Sequence, residues 1–400
     1  MHHKKRKQFS RTGSVLVLVL LGMVILAAVG TALLQMGFKA RLMSTRACSD
    51  IRAKCAADAA LATAMAELNE QLSAGLLSDL ELPAETSVNI EHCDATCSYN
   101  ITKNDDGYYV VNCTGFSGPV CKQITATLTS SGPFDHGLLV KSNMVLKPGT
   151  VVDGYNFAEP GDKVKVGTTS KLPASVILTR DTTIDGDVVV GVTGDPGTVI
   201  IQNDATVTGD IYALTEEFSW PEPQIPPSLL SLPSSGTISG SATLTESAKL
   251  DGIQLSKGEI LLIDGPVSLY ITGDLALANS AQIQINKDNP NARLTCYLDK
   301  NLYCKNGGML NNATEDPKRM TIFGTENCVN LSIASTGTLY GLVYTPHAMV
   351  NLKASVEIYG AVSANSFNQA TGANFHYDGS LRGASIPGVS TGLAIKRWTE

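Results

Sequence analysis

An uncharged segment near the start of the chain limits what the first part of the sequence can become. No Asp, Glu, Lys or Arg occurs from Ser14 to Met36, and most of these residues are aliphatic. About twenty such residues in a helix span the hydrocarbon core of a bilayer. We therefore predict a membrane-spanning helix. A cleaved secretory signal peptide is the alternative, with weak cleavage sites at Ala27, Ala28 and Ala32.

The residues before this segment are strongly basic. Lys4, Lys5, Arg6, Lys7 and Arg11 give the first thirteen residues a charge of +5, whereas the rest of the chain carries −12. Because basic flanks stay in the cytoplasm, we predict a single-pass membrane protein with a cytoplasmic N-terminus and the remainder on the opposite side of the membrane. The acidic body argues against nucleic acid as a partner, because phosphate binding needs clustered cations.

The segment after the span has strong helix propensity, since it is rich in Ala and contains no Pro up to residue 73. We therefore predict one continuous helix over residues 14–75. Its second half has helical apolar spacing, which is typical of an amphipathic helix that packs in an assembly. The predicted apolar stripe consists of Ile51, Cys55, Ala59, Ala62, Ala66 and Leu68.

These features together resemble the N-terminus of type IV pilus minor pilins (PilX type) and their pseudopilin relatives. The resemblance covers the basic leader 1–13, the apolar run and its Ala-rich continuation. It implies that a prepilin peptidase cuts between Gly13 and Ser14, and that other pilin or pseudopilin subunits are partners. It also implies a bacterial inner-membrane location, with the C-terminal domain in the periplasm or on the cell surface or pilus. The chain departs from the major pilins at the fifth mature position, where Leu18 replaces their Glu.

Residues 76–131 change to short runs of β-branched and aromatic residues, which predict strands. Asn104–Gly107 predicts a hairpin turn, with Gly supplying a positive φ. We predict a small β subdomain stapled by disulfides, since an oxidising compartment favours them over a metal site. Three pairings remain open. The candidate cysteines are Cys93, Cys97, Cys113 and Cys121.

Residues 132–384 repeat a pattern in which a short β run ends in Gly or Asp-Gly. Irregular repeats of about twenty residues with β-branched side chains are typical of a β-solenoid, in which each coil buries its apolar residues against the next. We predict a mainly β protein whose large domain is a right-handed β-solenoid (β-helix). A β-sandwich is the structural alternative. The glycines that stand at similar places in their units are Gly186, Gly209, Gly341 and Gly360.

Two interruptions and a tail complete the predicted organisation. Residues 215–236 are rich in proline and predict an extended strap, anchored by Trp220 and leucines, that cannot pair regularly in a sheet. Residues 286–320 predict a polar loop closed by a disulfide between Cys296 and Cys304. Residues 385–400 are predicted to be a C-terminal tail.

The end of the large domain resembles a β-helical domain of bacterial pilus-assembly and surface proteins whose function is unassigned. The resemblance covers about residues 137–382 and rests on five stretches, and it implies a fold but no activity or site. The stretches are VSLYITGDLAL, TIFGT, YGLVYTPHAMVNL, EIYGAVSANSF and FHYDGSL.

The sequence favours a structural role over catalysis. β-Solenoid hydrolases and lyases need neighbouring carboxylates, and the best cluster stands mostly in Asp-Gly and Gly-Asp turns. His347 and His376 lie near Asp378, but no nucleophile motif accompanies them. We predict no catalytic residue, no metal and no cofactor. The cluster consists of Asp181, Asp185, Asp187, Asp204 and Asp210.

We therefore predict a non-enzymatic minor pilin or pseudopilin-like subunit of a type IV pilus or related secretion apparatus. Its β-helical domain would serve assembly or adhesion, with a surface polysaccharide or another adhesion ligand as partner. The alternatives are a membrane-anchored carbohydrate-active β-helix enzyme and a membrane-anchored β-helical scaffold that polymerises.

Overall fold

The computed structural model describes residues 12–73, 82–90, 93–104, 108–157, 161–215, 217–311, 313–382 and 392–399. The leader residues 1–11, most of the predicted hairpin turn (105–107) and the first part of the predicted tail (385–391) lie outside the described residues. The chain divides into two compact units. The first contains the N-terminal helix up to Glu67, the described residues between 82 and 128, and residues 395–399. The second contains residues 68–73 and the described residues between 129 and 394.

The predicted long helix is present as α1 (Thr12–Ser73), which at 1.5 Å per residue is about 90 Å long. Short helices follow at α2 (Pro196–Val199), α3 (Pro227–Leu230) and two 3-10 turns, Pro317–Arg319 and Gly379–Leu381. All other described elements are strands, so the chain is mainly β with one long helix.

The first unit contains α1 and a five-stranded sheet in the order β1-β2-β3-β4-β31. Neighbouring strands from β1 to β4 are antiparallel. The strands are β1 (Ala84–Asn89), β2 (Thr96–Lys103), β3 (Tyr109–Ser117), β4 (Val120–Ser131) and β31 (Gly392–Thr399). One face of this sheet, with Tyr99, Val111 and Ile124, is buried.

The second unit contains a 26-stranded sheet. Its first strands are β5 (Leu138–Val140), β6 (Met144–Leu146), β7 (Val151–Tyr155), β8 (Val164–Thr168), β9 (Val176–Leu178), β10 (Thr183–Ile184), β11 (Gly186–Val190), β12 (Ile200–Gln202), β13 (Thr206–Val207) and β14 (Ile211–Ala213). The next are β15 (Thr237–Ser239), β16 (Ala242–Leu244), β17 (Ala248–Leu250), β18 (Gly252–Leu255), β19 (Ile260–Ile263), β20 (Pro266–Ile271), β21 (Leu275–Leu277) and β22 (Gln282–Ile285). The last are β23 (Arg293–Leu298), β24 (Leu302–Cys304), β25 (Met309–Leu310), β26 (Met320–Gly324), β27 (Asn330–Ile333), β28 (Thr338–Leu352), β29 (Glu357–Gln369) and β30 (Asn374–Asp378).

Most of these strands pair in parallel with the third strand after them, so the strands fall into three rows. Row A is β15, β18, β21, β24, β27, the end of β28, the end of β29, β6, β9 and β12. Row B is β16, β19, β22, β25, the start of β28, the start of β29, β30, β7, β10 and β13. Row C is β17, β20, β23, β26, the middle of β28, the middle of β29, β5, β8, β11 and β14. Parallel pairing rules out the β-sandwich alternative, whose sheets are antiparallel.

The order of the rows differs from the order of the chain. We call one strand from each row, taken at the same level, a rung. The chain starts this unit at β5, builds three rungs outward to β14, and resumes with β15 at the opposite end of the rows. It then returns rung by rung until β30 pairs with β7 and β29 pairs with β5 and β6. One rung is therefore composite: the end of β29 and β30 supply rows A and B, and β5 supplies row C.

The segment that connects β14 to β15 contains α3 and, within its described residues 214–215 and 217–236, no strand. Trp220 stacks on Tyr344 of β28, with ring centroids 6.3 Å apart, and its Nε1 donates to Thr169 Oγ1 at 3.3 Å. The Tyr344 hydroxyl donates to the Pro221 carbonyl at 2.8 Å, and Leu229 is buried. These contacts hold the segment against the outer side of row C.

The turn from row A to row B requires a left-handed residue at every level. The ten residues at this corner have φ between +51° and +101°, a region that Gly adopts without cost and other residues adopt at about 1–2 kcal/mol. Glycine occupies five of the ten positions, and Asp, Ser or Thr the rest. The corner residues are Gly240, Gly258, Ser280, Gly307, Thr336, Ser355, Gly372, Gly149, Asp181 and Asp204.

We expect Thr336→Gly to raise the free energy of unfolding by about 0.5–1 kcal/mol, because it removes a β-branched residue from φ +61°. Urea titration measures the change. Thr338→Gly is the matched control, since Thr338 lies in β28 of the same rung and glycine weakens a strand. A loss of stability in Thr336→Gly would contradict the corner argument.

The prediction of disulfides is wrong: within the described residues, which include all nine cysteines, every cysteine is a free thiol. In the first sheet, Cys97 lies opposite Gly115 and Cys113 opposite Tyr99, so the two cysteines are not cross-strand partners. Cys93 and Cys121 are exposed. The small sheet is held by its antiparallel pairing and its buried face instead of by staples.

The predicted disulfide-closed loop at 286–320 is also wrong. This stretch contains β23, β24 and β25, and it supplies one strand to each row. Cys296 on β23 and Cys304 on β24 are buried. They lie in different rows, and burial raises the pKa of both thiols to about 12. Both act as small apolar core residues.

Candidate functional site

The first half of α1 is an apolar surface without a protein partner. Of the described helices, only α1 is long and apolar enough to cross a membrane, a statement that rests on length and composition. Side chains from Leu16 to Phe38 are exposed on all sides, with Leu16, Leu26 and Leu34 each at least 69% exposed. Such a surface in water would cost a large free energy, whereas lipid tails would cover it. The helix is consistent with a single-pass membrane anchor.

The second half of α1 packs on the small sheet through alanines, and sequence analysis missed this stripe. The five alanines are completely buried, at the i, i+3, i+4 spacing of one helix face. Gly115 of β3 faces them: a Cβ at this glycine would lie 2.6 Å from the Ala57 nitrogen and closer still to the Ala53 carbonyl oxygen. The backbone of the helix therefore touches the sheet. We call this face the inner stripe: Ala53, Ala56, Ala57, Ala60 and Ala64.

The stripe predicted from the sequence lies on the other side of the helix. Nine residues separate Ala53 from Ala62, which is about two and a half turns and places them on opposite sides. Ile51 is 64% exposed, and Leu68, by contrast, is buried. We call the exposed face the outer stripe: Cys48, Ile51, Cys55, Ala62 and Ala66. The helix thus has one apolar face on its own sheet and a second that no described residue covers.

Polar contacts fix the helix on the sheet at both ends of the inner stripe. Lys122 on β4 forms an ion pair with Asp50 at 3.0 Å. The Tyr99 hydroxyl on β2 donates to Glu67 at 2.6 Å. Burial, followed by this hydrogen bond and the negative charge of Glu67, raises the pKa of Tyr99. Burial also raises the pKa of the Cys113 thiol, on the same sheet face, to about 12, so it remains protonated.

Gly13 and Ser14, the residues of the predicted cleavage site, belong to the first turn of α1. Cleavage between them stays a prediction, because no observation of this structure tests it.

The acidic residues singled out in the sequence separate into two groups. Asp181 and Asp204 are corner residues between rows A and B. Asp185 accepts a hydrogen bond from Thr208 Oγ1 at 2.7 Å, and Asp187 accepts one from the Asp210 backbone at 3.0 Å. All five therefore occur in or beside turns, where they bond to neighbouring rungs.

Asp187 and Asp210 also line a cavity of about 300 Å³. Its remaining charges are Asp162, Lys163, Lys165 and Arg382, so the formal charges of the six groups cancel. Arg382 pairs with Asp162 at 2.7 Å, and Lys163 Nζ donates to the Thr208 carbonyl at 3.2 Å. Among the described residues, no group of three or more His, Cys, Asp or Glu side chains could hold a metal ion.

His376 does not pair with Asp378, the neighbour considered in the sequence. Its Nδ1 lies 2.6 Å from Asp153 of β7, and its Nε2 lies 3.0 Å from Glu357 of β29. Its ring stacks on Tyr359 with centroids 4.6 Å apart. Asp378 instead caps the last 3-10 turn by accepting from the Ser380 nitrogen. The partners of His376 come from strands far apart in the sequence, so local reading could not find them.

His347 pairs with Glu222 of the segment between β14 and β15, at 2.6 Å. Both side chains are partly exposed, so this contact ties a loop to the rungs at the surface. No cysteine, serine or threonine nucleophile is among the hydrogen-bond partners found for His347 and His376 in the described part of the chain.

Comparisons with known proteins cover only part of this chain. The family model of a domain of unknown function (DUF7305) matches residues 250–384, about a third of the chain. No curated protein matches.

The solved structures that are similar to this chain include two named proteins. One is the competence-associated pilin ComZ from Thermus thermophilus, with 13% identity, 88% of this chain and 97% of that chain covered, and a TM-score of 0.25. The other is an ice binding protein from an Antarctic bacterium, Flavobacteriaceae, with 10% identity, 60% and 79% covered, and a TM-score of 0.22. TM-scores this low do not support an inference about function from either structure.

Proposed function

We propose that this chain is a non-enzymatic minor pilin or pseudopilin-like subunit, of the PilX type, in a type IV pilus or related secretion apparatus. One observation carries the proposal: α1 joins a fully exposed apolar half of membrane length to a half with two apolar faces. The inner stripe holds the small sheet. The outer stripe is then available for helices of other subunits, first in the membrane and later in the assembly.

The leader and the span define the location in this proposal. The basic residues 4–11 stay in the cytoplasm, α1 crosses the inner membrane once, and both units lie in the periplasm or on the surface. A prepilin peptidase cuts after Gly13, which frees Ser14 as the new N-terminus.

The 26-stranded sheet is proposed to be a right-handed β-solenoid with three strands per coil. Parallel pairing of each strand with the third strand after it supports this, and parallel strands joined by right-handed crossovers are the usual arrangement. The solenoid acts by association, in assembly or in adhesion to a surface ligand such as a polysaccharide. The turn roles of the five aspartates support a non-catalytic solenoid.

We expect Gly13→Leu to leave the leader uncut, because a bulky side chain would block the peptidase at the residue before the cut. Mass spectrometry of the N-terminal peptide from native membranes measures this, and the wild-type peptide should begin at Ser14. Gly22→Leu is the control, since Gly22 lies within the span with no atom near its Cβ position. Normal maturation of Gly13→Leu would refute the cleavage assignment.

We expect Ile51→Glu to reduce incorporation into assembled filaments at least about tenfold, because a charge buried among apolar helices is strongly unfavourable. The fold should be unchanged, since Ile51 is 64% exposed. The measurement is the fraction of the protein in sheared surface filaments. Thr63→Glu adds the same charge at an exposed position beside the outer stripe and should incorporate normally. Equal incorporation of both variants would remove the outer stripe from the assembly interface.

A further inference from the structure

Three cations surround α1 where its apolar half ends. Lys39, Arg41 and Arg46 are the only charged residues from Thr12 to Ser49, and the first acidic residue of the whole chain is Asp50. All three side chains are exposed, and within the described residues none of them forms an ion pair or hydrogen bond.

Their spacing distributes the charges around the helix. Lys39 and Arg46 are seven residues apart, about two turns, and therefore share one side. Arg41 is two residues from Lys39 and points to the opposite side. Apolar side chains stand between the cations and remain exposed: Phe38, Leu42 and Met43 are 69%, 43% and 71% exposed. Such alternation of long cations and apolar groups is typical of a membrane interface, where the cations extend toward the headgroups.

The position of the three cations along the axis of α1 also agrees with a location at the membrane interface. The uncharged stretch from residue 14 to 38 would be about 37 Å long, slightly more than the roughly 30 Å hydrocarbon core of a bilayer. Lys39 to Arg46 adds about 10 Å, which corresponds to the headgroup layer on one side. The cations therefore lie at the depth of the lipid phosphates if the helix spans the membrane.

We propose that Lys39, Arg41 and Arg46 form a basic collar that binds the phosphate groups of anionic phospholipids where α1 leaves the bilayer. This inference rests on the proposed membrane insertion and adds the lipid class. The collar would offset the charge of the rest of the chain, because residues 50–400 contain 22 basic and 37 acidic residues and so carry a net charge of −15. An anionic membrane repels such a body, and the collar provides attraction on the side of the membrane where this body lies.

The test uses the full chain reconstituted from detergent into two kinds of vesicle. One contains phosphatidylcholine alone, and the other contains phosphatidylcholine with about 30% phosphatidylglycerol. The protein is recovered from the mixed vesicles in mild detergent, and native mass spectrometry counts the lipids that remain bound. We expect enrichment of phosphatidylglycerol, with a loss of about fivefold for each neutralised collar cation.

Three variants separate the explanations. Lys39→Gln, Arg41→Gln and Arg46→Gln combined should lower the enrichment to the level that the leader cations alone provide, whereas Lys39→Arg, Arg41→Lys and Arg46→Lys combined should keep it unchanged. Lys147→Gln, Lys305→Gln and Lys353→Gln combined is the matched control, because it removes three exposed charges from the rungs. Enrichment that is as high in the first variant as in the wild type, or that falls equally in the control, would overturn the collar while leaving the anchor intact. A wild type that enters neither vesicle would overturn the anchor and the collar together.

Discussion

Gly115→Ala is expected to destabilise the first unit by about 3 kcal/mol or more, which is the high end for overpacking a closely packed contact. A methyl group at this position would overlap the Ala53 carbonyl oxygen and lie 2.6 Å from the Ala57 nitrogen. Both are backbone atoms of α1, so no side-chain rotation can relieve the overlap. The helix would have to move away from β3 and expose the inner stripe.

Hydrogen exchange of the amides in β2 and β3 measures this effect within the first unit. Thr114→Ala is the matched control, because Thr114 is the neighbouring residue of β3 and points to the opposite face. Thr114→Ala should change the protection of these amides from hydrogen exchange by less than a factor of about ten, which corresponds to about 1.4 kcal/mol. Equal protection in Gly115→Ala and the wild type would show that the helix and the sheet are not in close contact.

Removing the His376 ring is expected to lower the free energy of unfolding of the second unit by about 2 kcal/mol, the usual contribution of hydrogen bonds to charged groups. The ring lies between Asp153 of β7 and Glu357 of β29, and its side chain is 19% exposed. His376→Ala leaves two carboxylates near each other without a cation. Urea unfolding at pH 6 measures the loss. His347→Ala is the control, because its single pair with Glu222 is more exposed and should contribute less than about 1 kcal/mol.

The same site gives stability a defined pH dependence. Burial lowers the pKa of His376, but its hydrogen bonds to Asp153 and Glu357 and their negative charges outweigh burial, so the pKa is raised above its ordinary value of 6.5. The stabilisation is therefore complete below pH 6.5 and decreases as the pH rises through the raised pKa. Between pH 6 and pH 9, the wild type should lose more stability than His376→Ala. Parallel pH curves for the two proteins would contradict the assignment.

Local sequence patterns were sufficient to predict the main secondary-structure elements. The uncharged run and the Ala-rich continuation predicted α1, and β-branched runs predicted the small strands. The sequence predicts equivalent places for Gly186, Gly209, Gly341 and Gly360, and the register puts them in one column at the turn from row B to row C. The glycine at that turn can be predicted from the sequence because it recurs at the same place in successive rungs.

Features that depend on distant residues could not be predicted. Alanine is only weakly hydrophobic, so a helix face made of alanines gives little signal in the sequence. The more hydrophobic Ile51 and Cys55 therefore predicted the outer stripe as the packed face, whereas the inner stripe is the one that packs on the sheet. The cysteines suggested disulfides because their number is visible in the sequence, whereas the row that each one occupies is not. The partners of His376 come from β7 and β29, which only the three-dimensional pairing brings together.

The composite rung has a mechanical consequence. The chain enters the 26-stranded sheet at β5 and leaves it at β30, and these strands belong to one rung, which has further rungs on both sides. Tension applied between Leu138 and Asp378 would therefore act in shear on the parallel hydrogen bonds that join this rung to the rungs on either side, and would leave the rungs at the two ends of the rows unloaded. The sheet would therefore resist such tension in its middle instead of separating rung by rung from one end.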